Sequence, residues 1–241
     1  MINKILTIII IFLCSTFSLL SAEEPELENI LRFIEQNLAP ENFIGEYNFK
    51  NLRSDGTISE YKIRIQGRNA DTVHLYFLEP AWEKGREMLR LDESIWTFIP
   101  SVGRVVRVED RESFAGGDFA NADVLRVDWL DQYDTTLLKE TENQWIIELT
   151  ASTNEAAYAR MRLWVDKKNG MLIQQYFYDS NGTHLKTCLY GAVKSFGTII
   201  RPARMVMKNM ITGQVSEMRV LALHAGQNIP DSRFSLSNLG K

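Results

Sequence analysis

From Phe43 onward the chain keeps a period of two, and few patterns restrict a fold more. Alternation sends successive side chains to opposite faces of an extended backbone, which a helix cannot reproduce. Phe43, Gly45, Tyr47 and Phe49 share one side of a first strand, with Glu46, Asn48 and Lys50 on the other. Asp55-Gly56 is a turn signal, after which Tyr61, Ile63 and Ile65 resume the pattern. Val73, Leu75 and Phe77 carry it on to Glu79-Pro80. Three short apolar runs come next at 88–91, 95–99 and 105–108, broken at Asp92-Glu93-Ser94 and at Pro100-Ser101-Val102-Gly103. Connections this short leave room only for antiparallel neighbours.

The second half repeats the habit. Residues 137–150 supply one or two strands around Trp145, Ile147 and Leu149. Ala159, Met161, Leu163 and Val165 then alternate with Arg160, Arg162 and Trp164. Gly170, Gly182, Gly197 and Thr212-Gly213 separate the runs at 171–178, 183–192, 203–210 and 214–223. About ten or eleven strands with no interleaved long helices predict one antiparallel sheet rather than a parallel α/β fold. Two helices are expected. One, over 24–38, has Leu27, Ile30, Leu31, Ile34 and Leu38 at helical spacing and ends at Ala39-Pro40. The other is short, over about 119–127, with Asp118 placed as its N-cap. The first helix either packs on the sheet or covers a ligand cavity.

Residues 1–22 read as an export leader: Lys4, then an apolar run, then Leu20-Ser21-Ala22 as the cleavage site. Cys14 stands after Ile11-Phe12-Leu13, where lipoprotein processing requires a small residue, so cleavage near Ala22 is expected instead. The remaining residues, 23–241, fit one domain. The net charge, −4 for the whole chain and one unit lower without Lys4, gives no basis for binding nucleic acid. Cys188 is then the sole cysteine, which excludes an internal disulfide.

The order of motifs in 84–123 carries a resemblance. Lys84-Gly85, Trp96-Thr97-Phe98-Ile99-Pro100-Ser101, Arg104 with Arg107, Phe114-Ala115-Gly116-Gly117-Asp118-Phe119, and Asp123 stand in sequence. The set resembles the LolA-like outer-membrane lipoprotein-sorting proteins. The resemblance implies an incomplete β-barrel whose concave face is covered by helices. It further implies a periplasmic carrier that takes acyl chains from an inner-membrane transporter to an outer-membrane acceptor.

No sequence pattern for catalysis accompanies it: no G-x-S-x-G elbow, no H-E-x-x-H, no phosphate loop and no paired cysteines. His74, His184 and His224 lie far apart, and Cys188 sits among Leu185, Leu189 and Tyr190, as a buried inert thiol would. No enzyme, metal or cofactor is therefore expected. The apolar inventory is the unusual feature, because methionine suits walls that must accept variable apolar partners. Trp96, Phe98, Met161, Leu163, Met205 and Met207 are the candidate walls of an acyl cleft, although alternation leaves open which side of each strand faces inward. Phe114 and Phe119 flank Gly116-Gly117, either as a simple turn or as a hinged lid. Arg104 and Arg107 are either a solvated face or contacts for lipid phosphate or a partner's acidic patch. A rival function is a scaffold module that binds a membrane protein through the same fold; it requires a filled concave face, where a carrier requires an apolar trough.

Overall fold

The computed structural model describes residues 27–241, so the expected leader at 1–22 and the first turn of the expected helix lie outside the described residues. Helix α1 (Leu27–Leu38) buries Leu31 and Ile34 and exposes Glu28 and Arg32, as its apolar spacing dictates. Thirteen strands come after it, more than the expected ten or eleven, and 133–151 holds two of them. They are β1 (Phe43–Leu52), β2 (Ile58–Gly67), β3 (Thr72–Glu79), β4 (Glu87–Leu91), β5 (Ser94–Ile99) and β6 (Arg104–Val108). After the short α2 (Asn121–Leu125) come β7 (Tyr133–Glu140), β8 (Gln144–Ala151), β9 (Arg160–Asp166) and β10 (Leu172–Tyr178). The last three are β11 (His184–Phe196), β12 (Ile199–Asn209) and β13 (Val215–His224).

All thirteen belong to one sheet in the order β6-β5-β4-β3-β2-β1-β13-β12-β11-β10-β9-β8-β7. Every neighbouring pair is antiparallel; β1, for example, sets Phe49 opposite Tyr61 on β2 and Met218 on β13. The two edges, β6 and β7, are consecutive in the chain, so residues 109–132 must travel from one edge of the sheet to the other. The sheet is strongly curved. Val73 on β3 and Met161 on β9 line one cavity although seven strand spacings of about 4.8 Å separate them along the sheet. The crossing segment and α1 cover the inside of that curve.

The concave face holds the core. Ile63, Leu75, Phe77, Ile147, Leu149, Leu163 and Val165 are fully enclosed there, each contributing about 1.5–3 kcal/mol through burial. Strand β4 departs from alternation: Glu87, Met88, Leu89 and Arg90 are all buried. The cause is on the outer face. The chain after β13 folds back over it, and Ile229, Phe234 and Leu239 pack on Leu89 with Trp96 and Phe98. The Arg68 guanidinium lies 4.8 Å from the centre of the Phe234 ring. Gly240, at φ +82°, passes so close that a Cβ there would stand 2.5 Å from the Phe98 ring.

Candidate functional site

The crossing segment is fastened at several points before it reaches the cavity. Phe114 is buried against Phe49 and Phe77, with ring centres 4.9 and 5.9 Å away. Ala115, at φ +50°, and Gly116 reverse the chain, and Gly117 passes Asn51 so closely that a Cβ would collide with its Oδ1. Asp118 does not cap α2. Its backbone N–H donates to Ser216 Oγ (2.8 Å), and its carboxylate accepts from Ser216 Oγ (3.0 Å) and Asn209 Nδ2 (3.2 Å). Ala120 takes the N-cap position instead, with Asp123 Oδ2 accepting its N–H at 2.7 Å. The reason is tertiary: Asn209 of β12 and Ser216 of β13 engage Asp118.

Beyond α2, Arg126 binds Glu93 through two N–H···O contacts (2.6 and 3.1 Å) and Asp128 at 3.1 Å. Arg90, fully enclosed, pairs with Asp110 and donates to the Asp92 carbonyl at 2.9 Å. On the other side, Glu35 of α1 accepts the backbone N–H groups of Trp129 (2.6 Å) and Leu130 (3.0 Å). Burial pushes its carboxyl up to about 7, against the downward pull of those two donors.

These fastenings enclose a cavity between the crossing segment, the C-terminal end of α1 and the curved sheet. Its volume is about 90 Å3 for the centre of a water molecule, where about 10–15 Å3 admits one water. The wall is chiefly apolar: Phe43, Ile65 and Val73 from β1–β3, Met161 and Phe177 from β9 and β10, and Met205, Met207 and Met218 from β12 and β13.

The expected site residues divide. Met161, Met205, Met207 and Phe119 line the cavity. Leu163 shares its strand face with Met161 but is sealed in the core, one step deeper along β9. Phe114 is likewise core rather than a swinging lid, held by its aromatic neighbours. Trp96 and Phe98 point to the outer face, beneath the C-terminal segment, because β5 turns Ile95 and Thr97 inward. Arg104 and Arg107 stand exposed on the edge strand β6. Cys188 is buried and its thiol is pushed up by that burial, which makes it a poor nucleophile. His74 is a buried structural residue, its Nε2 2.7 Å from Glu87 Oε2.

Polar members of the wall went unread: Arg201, Gln175, Tyr47 and Tyr190 all line it. Alternation did hold the signal for them. Arg201 has the parity of Ala203, Met205 and Met207, and Gln175 that of Phe177.

A family model described as an uncharacterized protein matches residues 69–241, well over half of the chain. The chain belongs to that family. Its fold is LolA-like. A LolA superfamily protein from Nitrosomonas europaea superposes at a TM-score of 0.79 with 24% identity, covering 88% of this chain and 98% of that one. A Vibrio parahaemolyticus domain described as that of an outer membrane lipoprotein-sorting protein gives 0.75 with 19% identity, covering 89% of this chain and 97% of that one. At those identities the likeness concerns the fold. No curated protein matches the sequence.

Proposed function

We propose that this protein is a periplasmic carrier that shields acyl chains of a lipoprotein or lipid between the inner and outer membranes. In this reading it receives them from an inner-membrane transporter and yields them to an outer-membrane acceptor, with no covalent chemistry. The observation that carries the reading is the apolar cavity under α1 and the crossing segment, in a sheet otherwise packed to its core. Each methylene transferred from water to such a wall contributes about 0.8 kcal/mol, so a cleft can extract and hold a chain without a reaction. Methionines at 161, 205, 207 and 218 suit chains of differing length and shape. Export rests on the leader pattern at 1–22. A scaffold that binds its partner through a wholly filled concave face is less well supported, since part of this face lines a cavity.

The test fills the cavity. Ala157 lines it and is half-buried, so Ala157→Trp occupies the space without introducing charge. Binding of a fluorescent fatty-acyl probe should fall at least tenfold while the thermal midpoint holds or rises, since filled voids stabilise. Unchanged binding in the folded variant removes the cavity from the proposal. A wild type that binds no acyl probe removes the carrier itself.

A further inference from the structure

Within this wall Arg201 is out of place. It lies on β12, on the same face as Met205 and Met207, and only 3% of it is exposed. The other two deeply buried arginines have carboxylates: Arg90 has Asp110, and Arg126 has Glu93, Asp128 and Asp71. Arg201 forms no ion pair among the described residues. One nitrogen donates to the Leu38 carbonyl at the end of α1, Nε donates to the Pro202 carbonyl at 3.3 Å, and the phenols of Tyr47 and Tyr190 face it. The end of a helix supplies about half a negative charge, which leaves a full guanidinium charge under-compensated. An ion buried on those terms is costly, and burial accordingly pulls its pKa down.

A second polar group in the same wall has a donor to spare. Gln175 is 1% exposed, and its amide oxygen accepts from the Tyr190 hydroxyl at 2.6 Å. Its amide nitrogen is turned to the Met161 sulfur at 3.1 Å, a weak acceptor. The carboxylates that reach this cavity are already engaged: Asp123 by the Ala120 N–H and the Tyr158 hydroxyl, Asp128 by Arg126. The lining therefore combines an apolar wall with a donor-rich, acceptor-poor spot centred on a cation.

We propose that Arg201 receives the anionic head of an amphiphile, a carboxylate or a phosphate, whose hydrocarbon tail lies along the methionine wall. The inference rests on the carrier reading and narrows it, from any acyl chain to one joined to an anionic oxygen group. A guanidinium offers such a head two parallel N–H···O bonds, a geometry that a neutral ester or alcohol cannot exploit to the same degree. Gln175 and Tyr47 stand as the remaining donors.

Three ligands with one tail and different heads test it: dodecanoate, dodecyl phosphate and dodecanol, titrated calorimetrically at pH 8. The wild type should bind at least one anion about tenfold or more tighter than dodecanol, the worth of a charge-assisted hydrogen bond. The tighter of the two anions identifies the head. Arg201→Gln should erase the preference while keeping dodecanol binding, and Arg201→Lys should retain part of it. Equal affinity for all three heads in the wild type overturns the assignment of Arg201 and leaves the carrier standing, and that comparison needs no variant to fold. A preference that persists in folded Arg201→Gln also overturns it. Binding of none of the three overturns both proposals.

Discussion

Two ends of the same strands behave differently. Toward the far ends of β1–β3, Phe49, Tyr61 and Phe77 meet Phe114 and Phe119 in a cluster of rings, with centres 4.9–5.9 Å apart. Toward the near ends, Phe43, Tyr47, Ile65 and Val73 face Met161, Met205 and Met207 across open space. Both ends are apolar and lie under the same crossing segment, and Phe119 borders both. The difference is in the side chains and in what fastens the cover. Flat rigid rings interlock there in tilted, stacked and edge-to-face pairs, and Asp118 and Gly117 lock the loop above them. At the open end the cover is held instead by Glu35 on the N–H groups of Trp129 and Leu130, and by ion pairs of Arg126. Adaptable walls and a polar latch fit the proposed carrier, since a cleft that loads and unloads needs contacts that exchange with water at low cost.

The largest effect should come from the packed end. Phe114→Ala removes a fully enclosed ring and leaves a void between Phe49 and Phe77, so stability should drop by about 3–5 kcal/mol in urea unfolding. A loss below about 1 kcal/mol would mean that this end is as yielding as the other, and the contrast between them would collapse.

An intermediate effect should appear at the latch. The Glu35 carboxyl is raised from 4.5 to about 7, so across that window the folded protein keeps a proton that the unfolded chain has released. Stability should therefore fall as pH rises from 4.5 to 7, by about 2 kcal/mol once partial solvent access is allowed for. Glu35→Gln keeps an oxygen to accept from Trp129 and Leu130 and should remove that part of the slope. Unfolding curves at pH 5 and pH 7 that respond identically in variant and wild type would show that Glu35 is not strained by its burial.

The smallest effect belongs to the open wall. Met205→Leu conserves volume beside existing space, so the cost should be no more than about 1 kcal/mol, with acyl binding altered less than threefold. A cost matching that of Phe114→Ala would show the methionine wall to be as tightly fitted as the aromatic one.

Much of the architecture is written locally. Alternation over 43–49, 61–65 and 159–165, with Asp55-Gly56, Gly170 and Thr212-Gly213 between runs, specifies antiparallel strands because each turn brings neighbours together without long-range help. Helix α1 is equally a consequence of Leu31 and Ile34 at helical spacing. The motif order in 84–123 then points to the LolA-like fold. The site is only partly legible this way. Met161, Met205, Met207 and Phe119 reach the cavity, whereas Trp96 and Phe98 face the opposite side of the sheet. A period of two names two faces and cannot say which is inside; here Ile229, Phe234 and Leu239, from the far end of the chain, cover the outer one. The sheet order, with β6 and β7 at opposite edges, likewise depends on β1 pairing with β13, a contact between distant parts of the chain. The strain on Glu35 and the isolation of Arg201 arise from the same source. Burial and the absence of a counter-charge are properties of a side chain's surroundings, and those surroundings form only when the crossing segment and α1 close over the sheet.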